Sequence, residues 1–296
     1  MSAAWRTHEE RSTVGTLRLM VWIALHLGRG VARALLVPIC LYFLLLAPRA
    51  RRASRAYLDA ALGRRARWTD VYRHLHCFAS TILDRVYLLN GRDDRFAVNI
   101  VGEDIAHEIV ASGRGHIFIG AHLGSFEIMH TVGRVHGGLQ TWMVMYEENA
   151  RKVTAVLRSI NPDFNAPVIG LGHIDSMLRI KEALARGECV GLLADRGLHD
   201  EKTLDCQFFG RPMPIPLGPF RLALMLGQPV VLTFGLYLGG NRYEVHFERL
   251  ADGVPVDRAQ REAVVAQWAQ TFAARLEHHC RQHPYNWFNF FDVWRS

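Results

Sequence analysis

The spacing of apolar positions divides the chain into two unlike parts. From Val14 to Leu46 the sequence is largely apolar, interrupted by Arg18, His26, Arg29 and Arg33. Its longest charge-free stretch, Ala34 to Ala47, has fourteen residues and contains Pro38. A simple membrane span needs about 20 apolar residues, and shorter stretches are more often interfacial, re-entrant or buried. We therefore expect attachment to a membrane and leave open whether the segment crosses it. Arg29 and Arg33 would be costly at mid-bilayer. Past this run, apolar residues at three- and four-residue intervals predict helices over 49–62 and 69–89.

Further on, short apolar runs alternate with helical patterns. Strands are predicted at 98–101, 116–120, 141–145, 168–169, 190–194, 229–237 and 243–247. Helices are predicted at 103–112, 125–135, 149–159, 174–186, 220–226 and 257–279. This alternation predicts an α/β fold, a mixed, mostly parallel sheet flanked by helices behind an N-terminal membrane-associated helical segment. The reading divides the chain into an anchor segment, 1–67, and an α/β domain, 68–296.

Charge sharpens that division. The chain holds 35 Lys and Arg against 28 Asp and Glu. Residues 1–70 contain twelve Arg, no Lys and four acids, a net +8, so the remaining 226 residues carry a net −1. A basic apolar segment ahead of a near-neutral body points to anionic membrane lipid and away from nucleic acid, whose footprint usually lies on the folded body. The run Pro48-Arg49-Ala50-Arg51-Arg52, with Arg55, Arg64, Arg65 and Arg67, would stand on the cytoplasmic side by the positive-inside bias. The apolar run starts late and no small-residue cleavage site follows it, which argues against a signal peptide. The five scattered cysteines form no C-x-x-C pair and predict neither a disulfide framework nor a zinc ribbon.

Candidate chemistry centres on His116-Ile-Phe-Ile-Gly-Ala-His122-Leu-Gly-Ser-Phe-Glu127. An apolar strand ending at Gly120-Ala121 would deliver the His122 imidazole at the carboxyl edge of the sheet, where reactive groups gather in such folds. Gly124 permits a sharp turn, and Ser125 is a plausible N-cap that puts Glu127 in the first helical turn. Glu127 could then fix the imidazole tautomer, making His122 a general base for an attacking hydroxyl. A surface His beside a Glu is a common pattern, so spacing alone decides little. Competing motifs fail. Leu123 and Glu127 stand where a nucleophile elbow needs glycines, and Asp175 stands where a dinucleotide fingerprint after Gly170-Leu-Gly172 needs its third glycine. His278, His279 and His283 could ligate metal, but a polar helix end is the simpler reading, and no metal is expected.

The ordered set of motifs resembles one family. Ala121-His122-Leu-Gly-Ser-Phe-Glu127 is similar to the H-x4-D/E motif of the lysophospholipid acyltransferase superfamily, and more closely to that of the lipid A biosynthesis (lauroyl/myristoyl) acyltransferases. Lys181 to Gly197 resembles that family's helix, strand and Asp-containing loop. Phe208-Phe209-Gly210-Arg-Pro-Met-Pro214-Ile-Pro-Leu-Gly218 resembles its F-F-G…P-x-x-x-G stretch, and His283-Pro284-Tyr-Asn-Trp287-Phe its terminal segment. The resemblance spans the chain and implies a glycerolipid acyltransferase-like domain at the cell inner membrane.

It further implies transfer of a fatty acyl chain from acyl carrier protein or coenzyme A to a hydroxyl of a lipid or glycolipid acceptor. No cofactor beyond that co-substrate is implied. His122 would be the base and Glu127 its partner, with Gly124 and Ser125 shaping the site. Asp195 and Arg196 match the second loop and are assigned acceptor positioning or oxyanion support. Arg158 could meet an anionic group, while Phe209 and Gly210 could line the acyl path. Two departures bear on the acceptor. Ser125-Phe126 replaces the common Asn-Trp, and Phe288-Asn289-Phe290-Phe291-Asp292-Val293-Trp294 replaces a basic stretch where a phosphorylated glucosamine would be held. These substitutions look similar to relatives that build aryl polyene or other glycolipid-type products. A lysophospholipid or amino-lipid acceptor is the runner-up, and a non-catalytic scaffold binding acyl carrier protein is the reading from another class.

Overall fold

The computed structural model describes residues 14–164, 167–197 and 201–294, so the first 13 residues of the basic segment lie outside the described residues. The described residues open with the helices α1 (Val14–His26), α2 (Gly28–Leu46), α3 (Pro48–Leu62) and α4 (Trp68–Leu89). The apolar run is thus two helices, parted where Leu27-Gly28 breaks the first. Pro48 sits in the first turn of α3, where its missing N–H costs nothing, and Gly63 in left-handed conformation ends it. At the start of α4 the Asp70 carboxylate accepts from the Arg67 backbone N–H at 2.8 Å and pairs with Arg64 at 2.8 Å.

The body follows as β1 (Ala97–Val101), α5 (Glu103–Ser112), β2 (Ile117–Gly120), α6 (Phe126–Gly137), β3 (Thr141–Tyr146), α7 (Glu147–Ile160), β4 (Val168–Leu171), α8 (Ile174–Ala185) and β5 (Cys189–Leu193). A hairpin, β6 (Thr203–Phe208) and β7 (Arg211–Pro216), precedes α9 (Gly218–Leu226), β8 (Val230–Gly239), β9 (Arg242–Ala251) and α10 (Arg261–Gln282). Among the described residues seven strands form one sheet in the order β1-β9-β8-β2-β5-β3-β4, where β8–β9 pair antiparallel and the other neighbours parallel. This is the expected mixed, mostly parallel sheet. The central strands read as unbroken apolar runs, as strands covered on both faces do. The β6–β7 hairpin stands apart as a two-stranded sheet.

The core is continuous from the N-terminal helices into the sheet. Polar contacts tie the two together: the buried Ser54 hydroxyl of α3 donates to His74 Nδ1 at 2.8 Å, and His74 Nε2 donates to the Trp287 carbonyl at 2.8 Å. All five cysteines are free and buried.

Candidate active site

Parallel pairing between β2 and β5 builds the site. Ile117 lies opposite Val190 and Gly120 opposite Leu193, and Ala194 N donates to Gly120 O at 2.9 Å. The two strands therefore end together, each leaving an alanine and then a reactive side chain at the carboxyl edge: His122 from β2 and Asp195 from β5. His122 Nδ1 donates to Asp195 Oδ1 at 2.8 Å.

The carboxylate on the imidazole is thus Asp195 and not the expected Glu127. Glu127 does stand in the first turn of α6, but it faces α4, where its Oε1 forms an ion pair with Arg85 Nε at 2.7 Å. Its Oε2 accepts from Ser125 Oγ at 3.2 Å. A largely buried carboxylate takes the guanidinium it can reach, because a charge left unpaired there is costly.

Asp195 is saturated with donors. Its Oδ2 accepts from His122 N at 3.1 Å, Trp287 Nε1 at 2.9 Å and Asn289 Nδ2 at 3.2 Å. Burial opposes its ionisation, but His122, Arg196 and Trp287 outweigh that and hold the carboxyl well below the usual carboxylate range. Burial and the nearby Arg196 together lower the His122 pKa against the pull of Asp195, which favours the uncharged imidazole. Some 35% of its side chain stays accessible, and among the described residues Nε2 carries no hydrogen bond. The arrangement is an oriented imidazole with its outward nitrogen free to take a proton, and a carboxylate behind it to stabilise the resulting cation.

The loop after β2 is fixed by close backbone contact. Gly124 has φ +73, and a Cβ there would lie 1.8 Å from the Gly235 carbonyl oxygen. Only glycine fits. Gly124 N donates to Asn286 O at 2.9 Å and Ser125 N to Gly235 O at 2.7 Å. Ser125 Oγ accepts from Ile128 N at 3.4 Å, the expected N-cap contact. The segment after α10 closes the site, with Phe288 N donating to His122 O at 2.8 Å. The Asn286 side chain pins that segment to β8 through Tyr237 N and O.

Arg196 joins the cluster. Its Nε donates to Asn289 Oδ1 and its Nη2 to Phe288 O, and its guanidinium lies over the Phe291 ring at 5.3 Å. Asn289 and the Phe291 ring thus stand against Arg196, while the Phe288 and Phe290 rings pack on His74 and Phe78. Arg158 stands exposed in the last turn of α7 and, among the described residues, makes no hydrogen bond or ion pair with His122, Asp195 or Arg196. Phe209 holds the hairpin turn at φ 52, its N–H bonded to the Glu277 carboxylate and its ring under Arg281. Phe208 is buried against Trp287. Phe209 packs on Phe208 and Tyr57, both of which pack on Trp287. A mostly apolar cavity among the described residues lies elsewhere: about 250 Å³ lined by Leu88, Leu89, Phe126, Met143, Leu157 and Phe164, with Glu127, His130 and Thr131 also in its wall. Gly210 and Phe209 do not line it.

Trp287 and Asn289 were not among the candidates from sequence. Neither was the His122–Asp195 pairing, although IFIGAH and VGLLAD are parallel strings whose ends the register brings side by side. A second cluster, His246, Glu248 and His279, has donor atoms within 4.8 Å of one another. Glu248 is already held by Arg275 at 2.5 and 2.8 Å and by His279 at 2.8 Å. Burial resists its ionisation, yet these bonds push its pKa down to about 2. The cluster is a charge network fastening α10 to β9.

The described residues thus form an α/β sheet whose carboxyl edge carries an imidazole backed by a carboxylate. The chain belongs to the bacterial lipid A biosynthesis acyltransferase family, whose sequence pattern matches residues 11–296. No curated protein matches the chain.

Proposed function

We propose that this protein is a membrane-bound O-acyltransferase that moves a fatty acyl chain from acyl carrier protein or coenzyme A to a hydroxyl of a lipid A-like or other glycolipid acceptor. The observation that carries the reading is the His122–Asp195–Trp287 relay with Nε2 left open. In the proposed reaction His122 Nε2 takes the proton from the acceptor hydroxyl as that oxygen attacks the thioester carbonyl. The tetrahedral oxyanion then collapses, the C–S bond breaks, and the departing thiolate takes the proton from the imidazolium. Ester and free thiol result. Asp195 offsets the positive charge on the imidazolium between these steps, and Arg196 supplies positive potential for the oxyanion. Neither metal nor covalent acyl-enzyme enters this sequence.

The apolar cavity beside α6 suits a hydrocarbon chain. We assign the enzyme to the cytoplasmic face of the inner membrane, where the N-terminal arginines would meet anionic lipid and steer an acidic carrier protein. The aromatic and amide replacement of a basic stretch at Phe288–Phe291 favours an acceptor with fewer phosphates than lipid A. Mass spectrometry of membrane lipid extracts with and without the gene tests this. Loss of an acylated glycolipid with lipid A unchanged supports the non-lipid A acceptor, and a deacylated lipid A points to lipid A itself. A change confined to phospholipids would support the lysophospholipid reading. No change in any ester-linked lipid would refute the function.

A further inference from the structure

Of the described helices, α2 alone has the length and apolarity to cross a bilayer, with a mean hydropathy of 1.8. A crossing would put its two ends on opposite faces, about 30 Å apart. The structure holds both ends against the same body. At the start of α2, Arg29 Nε and Nη2 donate to the two oxygens of buried Asp84 at 2.8 Å each, and Arg33 Nη1 donates to the Tyr237 hydroxyl at 2.8 Å. Just before it, Ala24 O of α1 accepts from the Tyr87 hydroxyl of α4 at 2.7 Å. At the other end Arg51 of α3 donates to Leu44 O at 2.9 Å, and α3 is bonded to α4 through Ser54 and His74. Between these ends Ala32, Leu36, Cys40 and Leu44, four residues apart, form the buried stripe of α2. Pulling α2 upright would strip Asp84 of its guanidinium and leave a buried charge unpaired, a severe penalty.

Building on the membrane location proposed above, we infer that α1 and α2 lie flat, and that their outer face docks the catalytic body onto one leaflet of an anionic bilayer. Ten of the eighteen exposed large apolar side chains among the described residues fall in 19–46. Trp22, Val31, Leu41, Tyr42 and Leu45 are among them, each between 44% and 63% exposed. A helix that is apolar on its buried stripe and again on its open side is built for lipid rather than water. Its border is cationic and aromatic. Arg49 and Arg52 are exposed, and the guanidiniums of Arg51 and Arg55 stand over the half-exposed Trp68 ring at 4.9 and 5.4 Å. That is the composition of an interfacial belt. No acid occurs between Glu10 and Asp59. This charge fits anionic headgroups and disfavours a second copy of the chain, which would set arginine against arginine.

The test uses the full-length protein. Ser2→Cys and Ser296→Cys variants are labelled with an impermeant maleimide in right-side-out and inverted inner-membrane vesicles. Both should label in inverted vesicles alone. Labelling from opposite sides would mean that α2 spans, and overturns the inference. Purified protein should float with phosphatidylcholine vesicles containing phosphatidylglycerol, and binding should fall about tenfold or more without the anionic lipid or at high salt. The Leu41→Glu/Leu45→Glu variant, with its thermal transition checked, should lose flotation. Undiminished flotation by a folded variant, or a dimer through this face that binds no vesicle, overturns the inference. None of these readouts requires acyl transfer, so failure of the enzymatic reading would be seen separately.

Discussion

Replacing Asp195 with Asn tests how the imidazole is held. Three donors, His122 N, Trp287 Nε1 and Asn289 Nδ2, converge on Oδ2, whereas Oδ1 meets His122 Nδ1 alone. An amide must put its oxygen where the three donors converge, because an NH2 there would oppose three N–H groups. Its NH2 then faces His122 Nδ1, which can only accept. The imidazole proton moves to Nε2, and the nitrogen meant to take the acceptor proton is already protonated. The variant also loses the charge that stabilises the imidazolium. Loss of a positioned base lowers the rate by about 10²–10⁴, or about 3–5 kcal/mol in the barrier. The assay is transfer of a radiolabelled acyl group from acyl carrier protein to the acceptor lipid that the membrane extracts identify. Histidine ¹⁵N shifts, assigned against His122→Asn, report the tautomer. Asp195→Asn should switch the His122 proton from Nδ1 to Nε2, while Glu127→Gln leaves it on Nδ1. A tautomer that responds to Glu127→Gln and ignores Asp195→Asn would refute the pairing.

Other expectations follow from the same geometry. His74 is fully buried and neutral, its pKa lowered to about 4 by burial, against the opposing pull of its bond to the Trp287 carbonyl. Its unfolded value of about 6.5 means that the unfolded chain takes up a proton first as pH falls. Stability is therefore full above about pH 6.5 and is lost toward about pH 4, with this group costing about 2 kcal/mol by about pH 5. Urea unfolding should show that share of the acid slope disappear in His74→Gln. Gly124→Ala forces a Cβ against the Gly235 carbonyl at positive φ. It should cost more than about 1–3 kcal/mol in urea unfolding, with activity lost as the His122 loop shifts. Leu157→Trp narrows the apolar cavity, and mass spectrometry of the products should show shorter acyl chains with the His122 tautomer unchanged.

The periodic elements were legible because each is a local pattern. Predicted helices over 49–62, 69–89 and 103–112 match α3, α4 and α5 to within a residue at each end, and the alternating runs give the strands of the main sheet. The β6–β7 hairpin was missed. Pro212, Pro214 and Pro216 argue against a strand, yet at alternate positions they withhold N–H groups along one side of an edge strand, where none is needed. The split between α1 and α2 also escaped notice, since an apolar run carries no mark of where it turns back on itself. His122, Gly124 and Ser125 were readable from one stretch of chain. The partner of His122 was misassigned because proximity in sequence favoured Glu127, five residues away. The register of two parallel strands instead delivers Asp195, 73 residues on. Trp287 and Asn289 depend on the return of the chain after α10, which no local spacing encodes.

If His122 is the base for acyl transfer, His122→Ala must remove ester formation without unfolding the protein. Purified wild type and variant, matched in thermal transition and vesicle binding, are given radiolabelled acyl carrier protein and acceptor lipid. Labelled ester should form with the wild type and fall by about 10²-fold or more in the variant. A folded His122→Ala protein that transfers acyl groups at the wild-type rate would contradict it.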